Sequence, residues 1–117
     1  MVLIVGGEGS GKRSFALSLG YTPEQIADAV IDNRPVVYHL EQMVFAHPDC
    51  IDSLLPHLVQ KDLVICNEVG SGVMPIEWQE RAGREATGRL CVRLAQQAEC
   101  VVRMVSGIPM VIKGQLR

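Results

Sequence analysis

The chain lacks the features that would place it in a membrane, on a nucleic acid or in an oxidising compartment. No apolar segment is long enough to cross a bilayer, and the short run near the N-terminus passes into glycine-rich sequence instead of a signal-type core. No basic block is concentrated anywhere: 11 Lys and Arg against 13 Asp and Glu leave a formal net charge of −2. Neither nucleic acid nor an anionic membrane surface is therefore expected as a partner. The four cysteines, Cys50, Cys66, Cys91 and Cys100, show no C-x-x-C spacing. That argues against a zinc or disulfide framework and for reduced thiols in a soluble, cytoplasmic protein. Internal repeats and low-complexity tracts are missing too. What remains is 117 residues of 48% hydrophobic content, enough for one domain, residues 1–117, with a real but small core.

What is present is concentrated in the first fourteen residues. The apolar run Val2-Leu3-Ile4-Val5 leads into Gly6-Gly7-Glu8-Gly9-Ser10-Gly11-Lys12-Arg13-Ser14, which is nearly a phosphate-binding loop. In the strand-loop-helix motif, glycines let backbone N–H groups turn inward around the β-phosphate, a lysine reaches the β- and γ-phosphates, and a hydroxyl just after it holds Mg²⁺. Gly6, Gly11 and Lys12 have the required spacing. The hydroxyl does not: Arg13 follows Lys12, and Ser14 comes one residue late, about 100° further around a helix. Gly6, Gly7, Glu8, Gly9, Ser10, Gly11, Lys12, Arg13 and Ser14 are thus candidate contacts for GTP or ATP. Metal-assisted transfer is not supported, and no metal ligand is assigned.

The remaining pattern is that of an α/β fold with a mostly parallel central sheet. A helix over about Gly11 to Leu19 turns Phe15, Ala16, Leu17 and Leu19 toward the first strand and stops at Gly20. Thr22-Pro23-Glu24-Gln25 has the form of a capping box with proline at the first helical position, which predicts a short helix to about Ile31. Val36 to Leu40 reads as a second strand, and Asp49 or Asp52 as the cap of a helix limited by Pro48 and Pro56. Leu63 to Cys66 reads as a third strand, followed by Asn67-Glu68-Val69-Gly70-Ser71-Gly72. A polar glycine-rich loop at a strand's carboxyl end is where open α/β sheets place ligands, so Asn67 and Glu68 join the candidates. A long helix from Glu77 to about Glu99 and strands at Val101 to Val105 and Val111-Ile112, the last an edge strand, complete the pattern. Trp78 reads as a packing anchor or subunit contact, not as a base-stacking platform.

Several of these segments carry a resemblance. Val64 to Pro75, Gly88-Arg89 with Arg93-Leu94-Ala95, and Val105 to Pro109, together with the Gly6 to Lys12 loop, resemble the bifunctional adenosylcobinamide kinase/adenosylcobinamide-phosphate guanylyltransferase family of cobalamin biosynthesis. The resemblance implies a P-loop NTPase-like three-layer fold and a small ring-like homo-oligomer. It also implies an enzyme that phosphorylates the aminopropanol hydroxyl of adenosylcobinamide and then transfers GMP to that phosphate.

The chain departs from that family in four places. It is shorter between the first helix and the Asn67-Glu68 strand, where the family carries a helix with a guanylylated histidine, and none of His39, His47 and His57 matches that helix. The acidic residue at the end of the second strand falls at Tyr38, with Glu41 the nearest, offset carboxylate. Arg13 stands where the magnesium hydroxyl belongs, and Cys91 where the family has asparagine. Two functional classes follow. One is a reduced kinase in which Lys12 stabilises the transferring phosphoryl group, Arg13 replaces part of the metal's charge and Glu68 orients the acceptor hydroxyl. The other is a non-catalytic nucleotide-binding or sensing module derived from the same family.

Overall fold

A computed structural model describes residues 1–68 and 78–116, with Trp78 and Gln79 described through their backbone alone. The expected loop beyond Glu68 and the side chain of Trp78 lie outside the described residues.

Strand periodicity divides the apolar residues between two layers. In β1 (Val2–Gly6) and β4 (Leu63–Asn67), Leu3, Val64 and Cys66 enter one cluster, while Ile4, Leu63 and Ile65 enter the other, as side chains alternating across a strand must. Burial on both faces is why these strands read as continuous apolar runs. The remaining strands are β2 (Ile26–Asp28), β3 (Val36–Tyr38), β5 (Cys100–Val105) and β6 (Ile108–Lys113). The sheet order is β2-β3-β4-β1-β5-β6. Every pairing is parallel except that of β6, which runs antiparallel along β5 as an edge strand.

Helices close both faces. α1 (Lys12–Ser18) buries Ala16 against the Ile4 side, and α2 (Leu40–Ala46), α3 (Ile51–Leu58) and α4 (Trp78–Gln97) cover the other. On α4 the buried Ala86, Leu90 and Leu94 recur at helical spacing, with Arg81, Glu85 and Arg89 turned to solvent. The result is a P-loop NTPase-like three-layer α/β fold with a mostly parallel sheet. Among the described residues no helix is long and apolar enough to cross a membrane. All four cysteines are free thiols, with Cys66 and Cys100 in the core.

Three local expectations are corrected. The helix predicted from Thr22 to Ile31 is a single 3-10 turn, Pro23–Gln25, in which the Thr22 N–H donates to Gln25 Oε1 at 2.9 Å. The chain then becomes β2, because Ile26 and Ala27 are buried in register with Val36 and Val37, and that burial outweighs a local helix-start signal. The second strand ends at Tyr38, not Leu40: His39 adopts a left-handed φ of 57° and Leu40 opens α2. Neither Asp49 nor Asp52 caps α3. Cys50 precedes it with no side-chain cap, the helix runs through Pro56, and Asp52 instead pairs with Arg93 of α4.

Candidate functional site

The carboxyl ends of β1, β3 and β4 converge on the Gly7–Gly11 loop. Only glycine fits at position 6, because a Cβ there would lie 2.6 Å from Ser10 Oγ and 2.8 Å from the Met104 carbonyl oxygen. Gly11 turns the chain into α1 with φ 95°, and a Cβ on it would meet Gly107 Cα at 3.2 Å. The loop is braced by its own backbone and by the β5–β6 turn. Ser10 N–H donates to Gly7 O at 3.2 Å, and Gly107 N–H donates to Ser10 O at 2.9 Å.

Lys12 lies at the centre of this loop, 4% exposed. Its Nζ donates to Gly7 O at 2.6 Å and approaches Ser10 Oγ at 3.5 Å. Burial pushes the ammonium's pKa down, opposed by the carboxylates of Glu8, Glu41 and Glu68. A buried cation satisfied mainly by carbonyl oxygen is poised to exchange that weak acceptor for an anion. Gly7, Glu8, Gly9, Arg13 and Ser14 are exposed around it, and the Gly9–Ser14 segment with Tyr38 lines an open cavity of about 250 Å³.

Asn67 ties this loop to the neighbouring strands. Its Nδ2 donates to Glu8 Oε2, and its backbone N–H donates to Glu41 Oε1 at 3.0 Å. Glu68 is anchored by its N–H to Gly6 O at 2.8 Å, and its carboxylate accepts from the Arg103 guanidinium at 2.7 and 3.2 Å. Behind Asn67, the Cys66 Sγ on β4 donates to Asn67 O at 3.4 Å, and the neighbouring Cys91 thiol on α4 together with burial pushes the Cys66 thiol well up.

All the candidates from Gly6 to Ser14, with Asn67 and Glu68, therefore stand at one edge of the sheet. Three participants were not among them. Tyr38 faces the loop cavity, its phenol pushed up by burial and by Glu8, Asp28 and Glu41, with Arg13 opposing. Glu41, only 7% exposed, lies at the start of α2; its offset from the strand end hid it, since the helix start at Leu40 was not expected. Arg103 gave a weak signal, a lone charge in the apolar run Val101 to Val105.

The usual donors for magnesium are not assembled here. Arg13 occupies the hydroxyl position, Glu41 Oε1 is engaged by Asn67, and among the described residues no group of three His, Cys, Asp or Glu side chains is placed to hold a metal ion. The described residues do not fit the ion in its usual place. A larger cavity, about 380 Å³, opens at the opposite edge of the sheet beside Tyr21, Asp62 and Glu99, away from the loop and from every candidate residue.

Sheet order, layers and a glycine-rich loop between the first strand and first helix define the class as a P-loop-type α/β protein. Within that class, residues 30–112 match the model of the cobinamide kinase / cobinamide phosphate guanyltransferase family. The match spans well over half the chain, and the chain belongs to that family. The matched segment begins after β1, α1 and the loop, so the loop is read from its own geometry. No curated protein matches the chain.

Proposed function

We propose that the chain binds GTP or ATP in the Gly6–Ser14 loop and phosphorylates the side-chain hydroxyl of adenosylcobinamide. The observation that carries this reading is the buried Lys12 ammonium held by Gly7 O at 2.6 Å inside a loop that admits only glycine at its first position. A phosphate entering the cavity takes the place of that carbonyl as the acceptor for the Lys12 ammonium. Transfer forms a bond from the acceptor oxygen to the γ-phosphorus and breaks the bond to the departing nucleoside diphosphate. Charge spreads over the equatorial oxygens as this happens, and catalysis is largely positioning and neutralisation. Lys12 supplies charge from within the loop and Arg13 from its exposed rim. Glu68, fixed by Arg103 at 2.7 Å, orients the acceptor hydroxyl. We assign no guanylyl transfer, because no histidine matches the family's guanylylated helix. His47 and His57 are exposed on α2's end and on α3.

Arg13 in the hydroxyl position favours one second reading, a nucleotide-binding module without turnover. Titration with GTP and ATP, with and without Mg²⁺, followed by product analysis on adenosylcobinamide, separates the two. Binding with phosphorylated cobinamide is the expected result; binding without product assigns the chain to the second reading, and no binding of either nucleotide overturns both.

The family resemblance also implies a homo-oligomer. The surface best suited to it is β6, where Ile108, Met110, Val111 and Ile112 are all at least 47% exposed along an unpaired edge. Ile108→Lys with Ile112→Lys is expected to shift light-scattering mass toward the monomer; an unchanged mass places the contact elsewhere.

A further inference from the structure

We propose that Asp28 and His39 form a general-base dyad that accepts the proton of the acceptor hydroxyl, an inference that rests on the phosphoryl-transfer reading above. β2 and β3 are parallel, with Asp28 in register with Tyr38, so both strands deliver their last residues to the edge that carries the loop. The His39 Nδ1 lies 2.6 Å from Asp28 Oδ1. A carboxylate only accepts hydrogen bonds, so Nδ1 is the nitrogen that carries the hydrogen toward Asp28, and in the neutral imidazole Nε2 is the one that keeps its lone pair. Nε2 makes no hydrogen bond among the described residues. The imidazole stands 3.9 Å, centroid to centroid, from the Tyr38 ring, and Tyr38 borders the Gly9–Ser14 cavity. The base is therefore one aromatic ring away from the space that would hold the terminal phosphate.

The backbone supports a role beyond folding. His39 sits at φ 57°, ψ 45° immediately before α2, a position where glycine or asparagine costs less, and its side chain makes no cap hydrogen bond to the helix. Ala29, directly after Asp28, is left-handed as well, at φ 55°. One left-handed residue thus follows Asp28 and the other is His39 itself, and strain of this kind collects where a side chain must be aimed. In the transfer step, the acceptor O–H proton moves to His39 Nε2 as the oxygen bonds to phosphorus and the nucleoside diphosphate leaves. Asp28 stabilises the resulting imidazolium, which then gives its proton to water.

The test is His39→Gly in the full chain, since glycine accepts the left-handed backbone and leaves a hole the size of the imidazole. Nucleotide affinity by calorimetry is expected to stay at the wild-type value, while single-turnover phosphorylation of adenosylcobinamide falls about 100-fold and recovers as free imidazole is added. Asp28→Asn is expected to lower turnover by about 10-fold or more, without recovery in imidazole, because an amide can donate and so favours the other tautomer. Wild-type turnover in His39→Gly, or a loss that imidazole does not restore, overturns the dyad and leaves the kinase reading standing. A wild-type chain that binds nucleotide and yields no product overturns both.

Discussion

The two halves of the sheet's carboxyl edge are built in different ways. The β1 half is made of main chain: glycines at 6 and 11, carbonyl oxygens of Gly7 and Ser10, and one buried lysine. The β2–β3 half is made of side chains, with Asp28, Tyr38 and His39 brought together by strand register. A backbone site tolerates few residue types at fixed spacing, because any Cβ at Gly6 would occupy space already filled. A side-chain site tolerates many types, because its geometry is set by pairing between strands whose ends are distant in the chain.

The strongest way to break this contrast is Lys12→Ala. It removes the one charged side chain at the centre of the backbone half, and the affinity for GTP and ATP by calorimetry is expected to fall by about 10- to 100-fold, the scale of losing a hydrogen bond to a charged group. The melting temperature should change far less, because Lys12 is held by its own loop. An unchanged nucleotide affinity would overturn the phosphate reading of the loop.

Next in size is Gly6→Ala. The added methyl meets Ser10 Oγ at 2.6 Å and Met104 O at 2.8 Å, and forcing backbone apart in this way costs about 1–3 kcal/mol. A melting temperature lower by about 5 °C or more is expected, with nucleotide affinity reduced because Ser10 and Lys12 shift together. Gly7→Ala provides the control, since a Cβ at Gly7 meets nothing within 4 Å.

The same contrast explains how much was legible beforehand. Val2 to Val5 and Leu63 to Cys66 were readable as strands because they are buried on both faces, and the loop was readable because Gly6 and Gly11 are sterically required at fixed spacing. Asn67 and Glu68 were readable from their place at a strand end. β2 was not, because Thr22-Pro23-Glu24-Gln25 is a true capping box that forms its hydrogen bond yet leads only into a single turn. What stops the helix is burial of Ile26 and Ala27 beside β3, a contact no local pattern records. His39 was read as a strand residue for the same reason: its neighbours Val37 and Leu40 are apolar, and its positive φ is a tertiary outcome. Glu41 stood out only as an offset carboxylate until α2 placed it under Asn67.

Asn67→Ala sharpens the comparison at the seam between the halves. The side chain's hydrogen bond to Glu8 is lost while the backbone link to Glu41 survives. About 1 kcal/mol is expected, read as a few degrees in melting temperature. Nucleotide affinity should weaken about fivefold, because Glu8 is released to face the phosphates. An affinity that rises instead would mean that Glu8 restrains the loop only when held.

The smallest effect is expected in the connection that sets the β2–β3 half. Asp32 accepts from the Arg34 N–H at 2.9 Å and pairs with its guanidinium at 2.7 Å, and Arg34 in turn donates to the Ile26 carbonyl at 3.2 Å. These bonds to Arg34 hold the Asp32 carboxyl down at about 2. An unfolded aspartate titrates near 3.9, so the folded pKa is the lower one. The stabilisation is therefore complete above about pH 4 and is lost as pH falls from there through about 2. Asp32→Asn should lower the melting temperature slightly at pH 7, the gap closing as the buffer approaches pH 2, because both partners are exposed and solvent-screened. If His39 and Asp28 are aimed by register, imidazole rescue of His39→Gly should be weaker in the double variant with Asp32→Asn. Equal rescue would mean that the Asp28 end of β2 is held by Ile26 and Ala27 in the core alone, with no help from the turn.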